Sequence, residues 1–343
     1  MDLETFYPGK TILVTGGAGT IGSFVVRELL KYEPKSIRVF DNNETGLYDL
    51  ENDLANPAIR LLVGDVRDRE RLMVAMEDVD IVFHAAALKH VPLCEFNPFD
   101  AVKTNVIGTQ NVLDMAYAQA VKKVITVSTD KAVNPSNVMG ATKLLAERLT
   151  ISANSYRGHK KTFFSAVRFG NVLNSRGSVI PLFLKQIEKG GPITITHPDM
   201  RRFFMDIPSA AQLILKTGML SLGSEIFILK MKAMRIMDLA EEMRCLCAPR
   251  CGFDPDDIDI EIVGVRNGEK LDEELMILDE TSSIYESDDM YLVIPEPIPY
   301  SQSSSFLRVP DGFFPTTQTS FSSSNARMLT RKEISDLLLN IGV

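Results

Sequence analysis

The sequence predicts a doubly wound α/β fold, and three observations carry that reading. Short, nearly continuous apolar runs recur through the first half of the chain with amphipathic segments between them. This is the pattern of a parallel sheet covered by helices on both faces. The first run, "TILVTG", leads into the glycine triplet Gly16, Gly19 and Gly22 and then a helical pattern, and the second, "IRVFD", ends on an acid, Asp41. Right-handed crossovers between parallel strands supply the rest of the topology.

The runs at 11–16, 37–41, 59–65, 80–87, 123–128 and 163–169 read as strands, and the patterns at 20–32, 44–54, 68–77, 98–120 and 139–157 as helices. Beyond residue 172 the pattern loosens at "KGGPITITHPDM". Helices are expected near 207–221 and 235–247, then an acidic stretch at 254–261, a strand over 289–294 and a closing helix over 330–340. Residues 296–325 are rich in Ser, Thr and Pro, the composition of a surface arm. The organisation expected is a dinucleotide-binding domain over 1–172, with the segment 205–230 returning to it, and a substrate lobe over 173–343 that includes the arm.

With 343 residues and 45% hydrophobic composition, the chain can bury a sizeable core. A net charge of −8 argues against a general nucleic-acid or polybasic membrane binder, yet a few local cations and helix N-termini suffice for a phosphate. No apolar stretch approaches the roughly 20 residues of a membrane span, so a cytoplasmic, soluble chain is expected. Four cysteines are too few for a disulfide framework. Cys245, Cys247 and Cys251 in "CLCAPRC" lack a fourth ligand, so they read as buried thiols near a helix end and no metal site is expected.

A lone glycine triplet is weak evidence. Here the strand before it, the helix after it and Asp41 at the end of the next strand make it a pyrophosphate loop with a ribose acceptor. The Asp41 charge would repel a 2′-phosphate, which favours NAD; the neighbouring Arg38, Asn42 and Asn43 leave NADP open. Asp65 and Val66 in "GDVRD" are placed to meet adenine, and the small residues of "HAAALKH" allow close cofactor approach, with helix–sheet packing as their alternative use. Lys89 leaves a strand end where ligands bind in such sheets.

At this point the sequence resembles the extended short-chain dehydrogenase/reductases, and more narrowly the UDP-N-acetylglucosamine 4,6-dehydratases of polysaccharide and glycan biosynthesis. The likeness runs through "TGGAGTIGS", "HAAALKHVPLCEFNPFDAVKTNVIGTQNV", "STDKAVNPSNVMGATK", "VRFGNVLNSRGSVIPLF", "MRRFFM", "VGVRNGEKLDEEL" and "FSSSNARMLTRKEISDLL". Short-chain dehydrogenases carry Tyr-x-x-x-Lys where this chain has Met139 and Lys143. One branch of the dehydratases has this methionine, often behind an N-terminal membrane region, so this chain resembles a soluble short form. Asn267 and Arg201 replace the common Pro and Thr.

The resemblance implies a tightly held, recycled cofactor contacted by Gly16, Gly19, Thr20, Ile21, Gly22, Asp41, Asn42, Asp65, Val66, Ala85, Ala86, Ala87, Lys89, Asn105, Lys143 and Val172. It implies a UDP-sugar held by Lys89, Asn171, Arg176, Val179, Arg202, Arg266 and Glu269, and a homo-oligomer. Dehydration at C6 requires oxidation at C4, loss of the C5 proton with the C6 hydroxyl, and hydride return to C6. The family's assignment makes Asp130 the acid and Lys131 the base, after Thr129 at the strand end. Burial would favour the neutral forms that these roles need. Lys143 would hold the nicotinamide ribose and Met139 would pack on a ligand face. The C4 proton is then left to Thr129, Asp130, a water or a lysine. The competing readings are a nucleotide-sugar epimerase of the same fold and a non-catalytic dinucleotide sensor; an intact Asp130-Lys131 pair counts against both.

Overall fold

The computed structural model describes residues 2–156, 161–173, 175, 177–277, 283–295 and 308–343. The chain divides into two compact units. The first comprises Met1–Arg168, Pro208–Lys230 and Met276–Thr319, and the second Phe169–Ile207, Met231–Leu275 and Ser320–Val343.

In the first unit six strands lie parallel: β1 (Thr11–Thr15), β2 (Ser36–Asp41), β3 (Ile59–Val63), β4 (Ile81–His84), β5 (Lys123–Val127) and β6 (Phe163–Arg168). Their spatial order is β3-β2-β1-β4-β5-β6, and Ile226–Leu229 continues the parallel set beyond β6. Met290–Val293, Ile284–Glu286 and Phe314–Pro315 complete the sheet with antiparallel pairings. The strand order reverses between β1 and β4, so the crevice at the carboxyl ends of the strands is where a ligand belongs.

The strands form because their side chains are apolar on both faces. On one face Leu13, Phe40, Val82, Val124 and Phe164 pack with Leu72, Met76, Val112 and Ala116 from the covering helices. Full burial of each such Leu, Val or Phe contributes about 1.5–3 kcal/mol. The second unit has its own core, in which Phe183, Ile193, Met234, Leu239, Met243, Ile258 and Leu338 are buried. Its strands are short. Asn171–Val172, Arg201–Met205 and Lys232–Arg235 form one sheet, Ile193–Ile195 pairs with Ile260–Ile262, and Glu274–Met276 pairs with Phe321–Ser322.

Several expectations need correction. The strand Ile226–Leu229 is absent from the sequence reading because a run of four apolar residues carries too little pattern. The helix expected over 98–120 is interrupted: Pro98–Ala101, a π-turn over Val102–Ile107, then Gly108–Ala118. In the region read as a surface arm, 296–307 lies outside the described residues. The rest is anchored, since Phe313 and Phe321 are buried and two short strands pair there. Cys245 is exposed, not buried, because the inner face of helix Ile236–Cys247 is set by Ala240, Met243 and Cys247. Among the described residues no helix is long and apolar enough to cross a membrane.

Candidate functional site

The glycine loop begins where β1 ends. Gly16 has φ +69°, and a Cβ there would fall 2.6 Å from the Ala86 amide nitrogen. A Cβ on Gly22 would fall 2.2 Å from the Gly16 carbonyl oxygen. The loop therefore closes on itself and on the Ala85–Ala86 backbone, which gives the small side chains after β4 a packing reason. Helix Thr20–Leu30 starts at Gly19 with no side-chain cap, so its first amides keep their affinity for an anion.

Asp41 stands at the end of β2 as expected. Its carboxylate accepts the Ala18 N–H at 3.0 Å and the Asn43 N–H at 2.9 Å, so it also ties the glycine loop to the next helix. Arg38 is committed elsewhere, donating to the Ala75 and Glu77 carbonyls at 2.8 and 2.6 Å. Asp65, expected to meet adenine, is held within the chain. Arg67 grips both its oxygens at 2.9 and 2.6 Å and, against the effect of burial, holds the carboxyl below the usual carboxylate range; Asn42 adds a bond at 3.3 Å. Val66 is 5% exposed and its side chain belongs to the sheet core, where the missing side chain of Gly108 makes room for it.

After β4 the segment Ala85–Lys89 runs to an exposed Lys89. Asn105, in the π-turn and 1% exposed, accepts the Leu88 N–H at 2.8 Å and donates to the Leu88 carbonyl at 3.0 Å and the Thr142 hydroxyl at 3.0 Å. A π-turn is a common device at functional sites. Here it aims one side chain at both the β4 loop and the helix that bears Lys143. Beneath it His84 bridges Thr15 at 2.7 Å and Thr109 at 2.9 Å. Thr109 gives its own proton to the Asn105 carbonyl at 2.6 Å, so it must accept from His84 Nε2–H, and Thr15 donates to Nδ1. Burial, helped by the Lys143 charge, drops the imidazole to about 3, so it is neutral.

The turn after β5 carries the densest chemistry. Thr129 has φ +154° and ψ 129°, a strained conformation for a β-branched residue of the kind that clusters at active sites. Asp130 is 1% exposed. Its Oδ1 accepts from the Thr129 hydroxyl at 3.0 Å, the Lys131 N–H at 2.9 Å and the Lys131 ammonium at 2.9 Å. Its Oδ2 is buried with no hydrogen-bond partner among the described residues.

Helix Val138–Tyr156 packs on this turn. Asn137 accepts the Gly140 N–H at 2.8 Å in the manner of an N-cap, and Glu95 accepts the Val138 N–H at 2.6 Å. Lys143 is 8% exposed and donates to the Val127 carbonyl at 2.6 Å. Burial brings its ammonium down to about 8, with the Glu147 charge pulling the other way. Met139 is 4% exposed and sits in a small cluster with Cys94 and Ala101. Its packing, expected against a ligand, is with this chain's own residues.

In the second unit Asn171 and Val172 form a short strand beside Arg201–Met205, and Val172 is buried at 6%. Arg176 lies outside the described residues. Val179 opens helix Val179–Ile187, whose preceding residue Ser178 makes no side-chain cap and keeps its hydroxyl buried with no partner among the described residues. The sequence reading missed Ser178, although a serine before an apolar helix is a readable signal. Arg202, expected at the UDP diphosphate, is heavily engaged within the chain. It is 6% exposed and donates to the carbonyls of Arg201 at 2.7 Å, Leu271 at 3.0 Å and Lys270 at 2.8 Å, with Glu269 at 3.6 Å. Arg266 is exposed, and its guanidinium has no hydrogen bond or ion pair among the described residues. Glu269 accepts the Arg266 N–H at 3.2 Å in the same turn.

The profile of the family described as polysaccharide biosynthesis protein matches residues 12–295. The chain belongs to that family. Among relatives in or near this polysaccharide biosynthesis family, an uncharacterized membrane protein of Methanocaldococcus jannaschii is 55% identical, over 99% of this chain and 98% of its own. An inverting UDP-N-acetylglucosamine 4,6-dehydratase of Campylobacter jejuni is 39% identical over 97% of this chain and 98% of its own, and a UDP-glucose 4-epimerase of Rickettsia bellii 38% over 97% and 96%. The solved structure of Pen from Bacillus thuringiensis superposes with a TM-score of 0.88 at 41% identity, covering 98% of each chain. Two of these relatives carry the names of nucleotide-sugar enzymes, one a dehydratase and one an epimerase, and the fold is that of the extended short-chain dehydrogenase/reductases.

Proposed function

We propose that this protein is a UDP-N-acetylglucosamine 4,6-dehydratase. The observation that carries the reading is the Asp130 carboxyl: one oxygen takes three donors, and the other is buried with no partner among the described residues, which leaves it open to a ligand hydroxyl. The Asp130–Lys131 ion pair and the neutral acid–amine pair contain the same number of protons. Net transfer of one proton from the Lys131 ammonium, 2.9 Å from Oδ1, to the Asp130 carboxyl, whose two oxygens exchange on rotation about the Cβ–Cγ bond, therefore converts the resting pair into the acid and base that elimination needs. Asp130 then protonates the C6 hydroxyl as it leaves as water while Lys131 takes the C5 proton, which restores the ion pair, and Lys131 returns a proton to C5 when hydride reaches C6.

Over a full cycle the proton lost from the C4 hydroxyl replaces the one that departs in water. Thr129, hydrogen-bonded to Oδ1, supplies the path from that hydroxyl to Asp130, and a tyrosine is not needed. Met139 contributes packing. The residues fit a dinucleotide: the self-closing glycine loop and the uncapped helix start suit a pyrophosphate, Asp41 suits the ribose diol and favours NAD, and Lys143 suits the second ribose. Bound NAD supplies the hydride acceptor for C4 and the donor for C6. The exposed Arg266 and the Ser178 helix start are groups whose chemistry suits the UDP phosphates.

Similarity to a UDP-glucose 4-epimerase supports a second reading. Such a reaction uses no acid at C6 and leaves Asp130 Oδ2 without a task. The two separate in one assay. Purified protein given UDP-N-acetylglucosamine, with no added reductant, is expected to release one water per sugar through many turnovers. A product of unchanged mass, or a stoichiometric demand for fresh NAD or NADPH, would remove the dehydratase assignment.

A further inference from the structure

Glu147 and Arg168 form an ion pair that the steps above leave without a role. Both side chains are fully buried, and the contact is bidentate: Arg168 Nε donates to Oε2 at 2.8 Å and the Nη2 group to Oε1 at 2.6 Å. Glu147 lies one helical turn beyond Lys143 on the same buried face, and Arg168 ends β6 beneath that helix. A buried ion pair gives little net stability compared with apolar residues of the same volume. Its position therefore calls for another explanation.

We propose that the Glu147–Arg168 pair is a positioning device for charge, one that controls how strongly the buried Lys143 ammonium holds its proton. Among the described residues, the elements packed against this helix carry several other charged or titratable groups. His84 on β4 is neutral, Asp130 and Lys131 on the turn after β5 neutralise each other at 2.9 Å, and Arg168 on β6 is positive. Arg148 on its own helix and Glu95 on helix Val91–Phe96 are exposed, and Cys94 is a buried thiol. Glu147 is the counter-charge that acts on the ammonium. Burial pushes its carboxyl up, but the charge and hydrogen bonds of Arg168 win and hold it below the usual carboxylate range, so it stays ionised. Arg168 keeps Glu147 charged, and Glu147 in turn keeps Lys143 charged near neutral pH against the cost of burial.

The sign follows directly. Removing the Glu147 charge withdraws the attraction and leaves the Arg168 charge exposed to Lys143, and both changes release the lysine proton at lower pH. In Glu147→Gln the Lys143 titration is expected to move down by roughly one unit or more. In Glu147→Gln/Arg168→Met, where neither charge remains, part of that shift is expected to return. The readout is the ¹³Cε resonance of Lys143 in lysine-labelled protein, assigned by its loss in Lys143→Arg and followed with pH. This measurement does not depend on the reaction. Only its consequence, an alkaline limb of turnover that moves with the titration, rests on the dehydratase reading.

A Glu147→Gln protein whose Lys143 titrates as in the parent would overturn the proposal, even if the protein were less stable. If Glu147→Gln fails to fold, the double variant, which removes both members of the pair, carries the test. Its Lys143 must then titrate below the parent's, and an unchanged titration contradicts the proposal.

Discussion

Asp130→Asn is expected to lower turnover of UDP-N-acetylglucosamine by roughly 10²–10⁴-fold, the scale of a lost general acid, with cofactor content unchanged. The amide keeps the size of the carboxyl and can still meet Thr129, but it has no proton to give a leaving hydroxyl. Lys131→Ala is expected to fall as far and, in addition, to lose solvent deuterium exchange at C5, because the base itself is gone. Met139→Ala should lose little, about tenfold at most, since its side chain packs in a small cluster with Cys94 and Ala101 and carries no titratable proton. These three variants form a set. A Met139→Ala enzyme as inactive as Lys131→Ala, with normal fold and cofactor content, would show that the sulfur does chemistry this account does not contain.

Gly140→Ala is expected to be as damaging as loss of the acid, for a purely steric reason. A Cβ at Gly140 would fall 2.2 Å from the Lys131 carbonyl oxygen and 3.2 Å from Pro135 Cβ. The first is backbone and cannot step aside without moving the turn that holds Asp130 and Lys131. Displacement of a catalytic group by about 1 Å costs on the order of 10²-fold, and forced repacking destabilises by about 1–3 kcal/mol. Turnover and thermal unfolding measured together should show both losses. Activity within a few-fold of the parent would mean that the turn tolerates displacement and that its strain is not functional.

The features readable from sequence share one property: they are local. The glycine loop, Asp41 at the end of the next strand and the Thr129-Asp130-Lys131 turn each lie within a few residues of a recognisable strand. What the sequence hid is non-local. Asn105 reaches Leu88 and Thr142, 17 and 37 residues away, through a π-turn that leaves no mark on the apolar periodicity. The Glu147–Arg168 pair joins residues 21 apart on different elements. Arg202 in "MRRFF" reads as a diphosphate contact, and only the fold shows three carbonyls wrapped around it. Gly140 reads as an ordinary small residue until the Lys131 carbonyl is seen against it. Short strands such as Ile226–Leu229 fail for a different reason, because four residues give no period to detect.

The central claim is that Asp130 and Lys131 remove water from C5–C6 while a hydride is held and returned within one bound sugar. UDP-N-acetylglucosamine carrying deuterium at C4 tests this most directly. A dehydratase working as described gives a product lighter by one water, with the C4 deuterium on the new C6 methyl group. An unchanged mass with the deuterium back on C4 would identify an epimerase. A dehydrated product from which the label had been lost would contradict the held hydride.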